Sequence, residues 1–77
     1  MPRARFHLSF PEHLIREPMV YRIGQDFDLV PNIRRANVDE TSAWMIIDLE
    51  GQEADIARAI AWLTEGGVKV DRIGDEG

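Results

Sequence analysis

Within Val30-Pro31-Asn32-Ile33-Arg34-Arg35-Ala36-Asn37-Val38, one amide and two guanidinium groups fall inside four residues: Asn32, Arg34 and Arg35. A primary amide offers both a donor and an acceptor, and a guanidinium forks around a carboxylate, so this set has the chemistry to hold an amino acid. The same residues also suit an edge strand, where charge blocks edge-to-edge association, and spacing alone favours that second reading. Other candidate groups are sparse. His7 and His13 are the only histidines, and a metal would need a third ligand converging on them, so they read as strand and loop residues. With no cysteine in the chain, disulfide, zinc-finger, iron–sulfur and thiol chemistry are excluded from it. No glycine lies between Met1 and Ile23 to cradle an anion beside an arginine, and Asp75 and Glu76 read as a solvated pair rather than a catalytic one. The expectation is a non-catalytic protein with no cofactor and no metal site.

The elements that must position these groups follow from periodicity. Arg5 to Phe10 alternates, with Phe6, Leu8 and Phe10 on one face and Arg5, His7 and Ser9 on the other, which is a half-buried strand. Pro11 ends it. Glu17 and Pro18 start a helix, since the first turn tolerates a residue without an N–H, and Val20, Ile23 and Phe27 follow at helical spacing. A second extended stretch runs from Leu29 to Val38; Pro31 cannot donate to a ladder and the adjacent Arg34 and Arg35 spoil simple alternation, so an irregular edge or bulge is expected near Pro31. After the polar turn Asp39-Glu40-Thr41-Ser42, Met45, Ile47 and Leu49 alternate with Trp44, Ile46 and Asp48 in a central hairpin strand. Glu53 and Asp55 favour the start of a helix dipole. Ile56, Ala59, Ile60 and Leu63 then trace one face, with Ile60 expected in the core, and Gly66-Gly67 supplies a left-handed stop. Val68 and Val70 give a last strand, and residues 74–77 read as a frayed tail after an ordered region of about 4–73 in a single domain, 1–77.

The order is strand, helix, strand, strand, helix, strand: an α+β, ferredoxin-like βαββαβ arrangement with two helices on one face of a four-stranded antiparallel sheet. Right-handed crossovers put the first and third strands at its centre. Trp44 and Ile46 then point away from the helices and would expose apolar area unless a partner, a second copy of the chain or a neighbouring side chain covered them. They are the expected interface residues, in a homodimer or with a partner domain through the sheet. Trp62 precedes Leu63 and is expected at the flank of the helix's core stripe.

At 77 residues the chain is one small domain that buries only about 60% of its unfolded surface. The net charge is −5, with six bases and five acids in residues 1–39 against three bases and nine acids in residues 40–77. An acidic surface repels phosphates before contact, so no nucleic-acid partner is expected. No window approaches the 18 or so apolar residues of a bilayer span, and the start is not a signal core, so a cytoplasmic protein without direct membrane contact is expected.

Leu8-Ser9-Phe10-Pro11, Glu17-Pro18, Phe27, Asn32-Ile33, Ala36-Asn37-Val38, Leu49-Glu50-Gly51, Ala59-Ile60-Ala61-Trp62-Leu63 and Gly67-Val68-Lys69-Val70 occur in this order across almost the whole chain. In that order and spacing the chain resembles the NIL domain, a small ferredoxin-like and ACT-like regulatory module found at the carboxyl end of bacterial methionine-importer ATPases, beside ferredoxin modules, or alone. The resemblance implies a domain that binds methionine and restrains transport when the cytoplasmic pool is full, with Asn32 at the ligand site and Ile33 and Arg34 beside it. Arg34 stands where the family's name motif has leucine, and Ala43-Trp44 stands where importer domains usually have glycine and a smaller or polar residue. The Arg34-to-Val38 run and Trp44 are more similar to NIL domains that precede an iron–sulfur ferredoxin module. Two functions are therefore expected: a regulatory module binding methionine or a related amino acid to control a transporter, or a partner-docking or structural domain attached to a ferredoxin protein.

Overall fold

The alternation of β1 (Arg3–Phe10) decides how the chain is layered. Ala4, Phe6, Leu8 and Phe10 are buried, while Arg3, Arg5, His7 and Ser9 turn to the opposite face. The structure, a computed structural model, describes residues 2–76, the side chains of residues 75 and 76 excepted. After β1, Pro11 opens a single 3-10 turn, Glu12–Leu14, in which the Leu14 N–H donates to the Pro11 carbonyl at 2.9 Å. Helix α1 (Met19–Asp26) follows Pro18 and buries Met19 and Ile23. Asp28, at φ 55, makes the left-handed turn that a short polar side chain tolerates, and leads through buried Leu29 into β2 (Val30–Val38).

β2 and β3 (Ala43–Glu50) form the local hairpin. Its turn is closed by Asp39, whose Oδ1 accepts from the N–H groups of Thr41 at 3.0 Å and Ser42 at 2.8 Å. The last two elements are α2 (Glu53–Glu65) and β4 (Lys69–Glu76). The sheet order is β2-β3-β1-β4, antiparallel throughout, with the two helices joining the non-adjacent strands. This is the expected ferredoxin-like α+β fold, with the first and third strands at its centre.

The irregularity expected near Pro31 falls between Ile33 and Arg35, at the adjacent arginines, while Pro31 itself stays in register opposite Leu49. An edge position makes this possible, because the missing N–H of a proline on the outer side breaks no ladder bond. The backbone of residues 74–76, expected as a tail, continues β4 and pairs with β1; residue 77 lies outside the described residues.

The core lies between the sheet and the helices. Ile47 and Leu49 from β3, Leu8 from β1, Ile23 from α1, and Ile56, Ala59 and Leu63 from α2 are all within 2% of complete burial. Ile60 sits at the margin of this core rather than inside it. Phe27 and Trp62 close the far side as a tilted ring pair with centroids 5.6 Å apart. Gly67, at φ 105, ends α2 in the left-handed conformation and lets the Val68 N–H donate to the Leu63 carbonyl at 3.0 Å. Among the described residues no helix is long and apolar enough to cross a membrane.

Complete burial and marginal burial should give different losses on truncation. Leu63→Ala is expected to cost about 2–5 kcal/mol through its transfer and cavity terms. Ile60→Ala should cost about 1–2 kcal/mol, because part of its surface already meets water. Urea unfolding of the two variants checks the order, and equal losses would place Ile60 in the interior.

Candidate functional site

In an antiparallel pair, residues opposite one another share a face, so the register sorts the candidate side chains. Asn32 pairs with Asp48, and Asp48 pairs with Arg5. Asn32 therefore lies on the open face of the sheet, away from the helices. Ile33 pairs with Ile47 and lies on the helix side, where it lines an apolar cleft of about 230 Å³ with Val38, Met45, Val20 and Tyr21. The irregularity then adds a residue, and the next matched pair is Arg35 with Ile46. A bulge of this kind breaks strict alternation: the Arg34 side chain reaches the open face, its Nη1 lying 3.9 Å from Asp48 Oδ2. The structure thus brings Asn32 and Arg34 together and sets Ile33 on the other side.

Asp48 is the residue that sequence reasoning missed. It is the one buried charged residue among those described, at 2% exposure, although it belongs to the open face. Arg5 grips it with two parallel hydrogen bonds, Nε to Oδ1 at 2.7 Å and Nη2 to Oδ2 at 3.2 Å, the fork geometry that makes arginine–carboxylate pairs strong. Hydrogen bonds from Arg5 hold the Asp48 carboxyl below the usual carboxylate range; desolvation opposes this, and the positive charges of Arg5, Arg34 and Arg3 add to it. Arg5 and Arg34 reach over Asp48 from the strands on either side of β3, and Asn32 lies directly across from it. Within the described residues the Asn32 amide and the Arg34 guanidinium make no hydrogen bond. The signal that could have found Asp48 is register. Once β1 and β3 are neighbours, an acid at an outward position of β3 faces an outward arginine of β1.

Trp44 and Ile46 occupy the same face but are half-buried. The Trp44 ring stacks on His7 of β1, with centroids 5.6 Å apart and planes 17° from parallel. Trp44 pairs with Asn37, four residues along β3 from Asp48, which is roughly 13 Å at the strand rise. The indole is therefore displaced along the sheet from Asn32. The strongly exposed apolar side chains of the sheet are instead Val30, Ile33 and Val38 on β2 and Ile73 on β4. His13 is exposed in the 3-10 turn, and no group of three metal-ligating side chains occurs among the described residues.

The lowered Asp48 value ties stability to pH. A carboxyl whose folded value lies below its unfolded one contributes fully above the unfolded value, near pH 4, and loses that contribution as pH falls through the folded value. Asp39, held down by the N–H groups of Ser42 and Thr41, acts in the same direction. Asp48→Asn is therefore expected to lower stability at pH 7 by about 1–3 kcal/mol. It should also flatten, without abolishing, the decline below pH 4. Denaturant melts from pH 7 to pH 2 measure both effects, and an unchanged acid slope in the variant would exclude the role of Asp48.

Comparison with known proteins agrees with this architecture. Residues 4–72 match the NIL domain family. The methionine import ATP-binding protein MetN 1 of Listeria innocua is 33% identical over 61 residues, covering 74% of this chain and 18% of that protein. Its counterpart from Listeria monocytogenes is 30% identical over the same shares. The chain thus spans less than a fifth of the length of these relatives. Among solved structures, the C-terminal domain of an ABC transporter ATP-binding protein from Enterococcus faecalis superposes with a TM-score of 0.79 at 25% identity, over 95% of this chain and 86% of that one. A prephenate dehydratase from Streptococcus mutans shares the fold, with a TM-score of 0.61 at 21% identity over 96% of this chain and 42% of that one. A match across 69 consecutive positions, from the second residue of β1 to Arg72 in β4, shows that this chain belongs to the NIL domain family.

Proposed function

We propose that this domain is a non-catalytic regulatory module of the cytoplasm that binds methionine or a related amino acid and thereby controls a transporter. The observation that supports it best is the pairing of an uncommitted amide, Asn32, with an exposed guanidinium, Arg34, on one side of the β2 bulge. An amide can meet both polar ends of an amino acid, and the guanidinium matches its carboxylate. The likeness to the C-terminal domain of a transporter ATP-binding protein and to methionine import ATP-binding proteins supports the transporter context. Ligand binding acts here by favouring one association state over another.

Titration of the ¹⁵N-labelled domain with methionine tests the reading. Shifts are expected around Asn32 and Arg34. Asn32→Ala should weaken binding by about one to two decades, since losing one partner of a polar contact costs about 1–3 kcal/mol. Absence of any shift at millimolar methionine would leave partner docking, with Trp44 and Ile46 as its contact residues, as the function of the open face.

The same proposal includes self-association through the sheet. Sedimentation across a concentration series is expected to show a dimer that dissociates on dilution and that Ile46→Asp weakens at least tenfold. A species that stays monomeric at the highest concentration would remove the dimer from the proposal.

A further inference from the structure

Of the two side chains that the ligand reading names, Asn32 and Arg34, the second has a charge contact outside its own strand. Arg34 stands on a bulge of an edge strand, half-exposed, and its only charge partner among the described residues is Asp48 at 3.9 Å. That distance exceeds a hydrogen bond, so the contact steers the guanidinium without occupying its donors. Asp48 can steer in this way because it is itself buried and doubly hydrogen-bonded. It is 2% exposed, and both its oxygens accept from Arg5, at 2.7 and 3.2 Å. Arg5 takes up both oxygens of Asp48, and the Arg34 guanidinium stands on the same face as Asn32 with no hydrogen bond of its own among the described residues.

Resting on the ligand reading above, we propose that Asp48, locked by Arg5, is a positioning residue that fixes Arg34 beside Asn32, and that the resulting cluster selects ligands with a free carboxylate. The bidentate pair to Arg5 engages the Asp48 charge, and Arg34 keeps its donors for the ligand. An amino acid gains a fork-shaped contact there. Its carboxamide analogue, which carries only the ammonium charge, meets a like charge and has one oxygen in place of two. Asp48 does not touch the ligand: its side chain lies beneath the guanidinium groups.

The experiment is a paired titration of the domain with L-methionine and L-methioninamide, followed by amide and arginine Nε–H shifts, in the wild type, Arg34→Leu and Asp48→Asn. Each variant is first checked for a dispersed native spectrum. The wild type is expected to favour methionine at least tenfold, and Arg34→Leu to bind both ligands about equally. For Asp48→Asn the sign is informative. Removing a negative charge would by simple Coulomb attraction tighten carboxylate binding, whereas loss of positioning should weaken methionine about three- to tenfold, leave methioninamide unchanged and shift the Arg34 Nε–H. Methionine affinity that is unchanged or raised in Asp48→Asn overturns the positioning role while the ligand reading survives. Equal wild-type affinity for the two ligands overturns the selectivity. Failure of the wild type to bind either ligand overturns the ligand reading and this inference together. If Asp48→Asn does not fold, Arg5→Lys, which keeps the charge but loses the fork, takes its place with the same expected weakening.

Discussion

Two short helices can cover only one face of a four-stranded sheet. Here that face is set by β1, whose buried and outward residues alternate without a break while it pairs with β3 on one side and β4 on the other. Everything on the opposite face must settle its own exposure to water. The chain does this with charge and stacking instead of a second layer. Arg3, Arg5, Arg34, Arg35 and Lys69 stand at open-face positions among Asp48, Glu50 and Asp71, and His7 lies against Trp44. The domain is acidic overall at −5, yet this face gathers five of its nine bases. Net charge is therefore a poor guide to the potential at the site.

The burial of Asp48 follows from the same constraint. A carboxylate at the middle of an open sheet would ordinarily be wetted. It is shielded here because β1 and β2 each bring an arginine across it. Burying a charge is unfavourable unless it is paired and hydrogen-bonded, and the two bonds from Arg5 meet that condition. The result is a polar centre with little freedom on a surface that packs against no other layer.

Local periodicity made β1, β3 and α2 legible in the sequence, down to the bounds of α2 at Glu53 and Glu65. The same strength of pattern was absent in β2, where exposure on both faces removes the alternation that burial imposes. A bulge was expected near Pro31, from the proline and from the adjacent arginines that spoil the alternation. It fell at Arg34, where a one-residue excess lets two adjacent arginines reach one face. Asn32 and Arg34 were visible as chemistry, but that Ile33 faces the other way is a matter of register. Asp48 was invisible for a related reason: its environment is built by side chains 43 residues upstream and 14 upstream, and no window along β3 contains them.

The strand order also bears on how the domain folds. The β2–β3 hairpin is the only local pairing in the sheet; β1 joins β3 across a separation of 43 residues at Arg5 and Asp48. Closing so long a loop lies late and slow on a folding route dominated by distant contacts. Asn32, Arg34 and Asp48 are neighbours through the local hairpin alone, whereas Arg5 reaches the carboxylate only through the β1–β3 pairing. The polar centre and the hydrophobic core therefore share one closure: the β1–β3 pairing that sets Arg5 against Asp48 also sets Phe6 opposite Ile47.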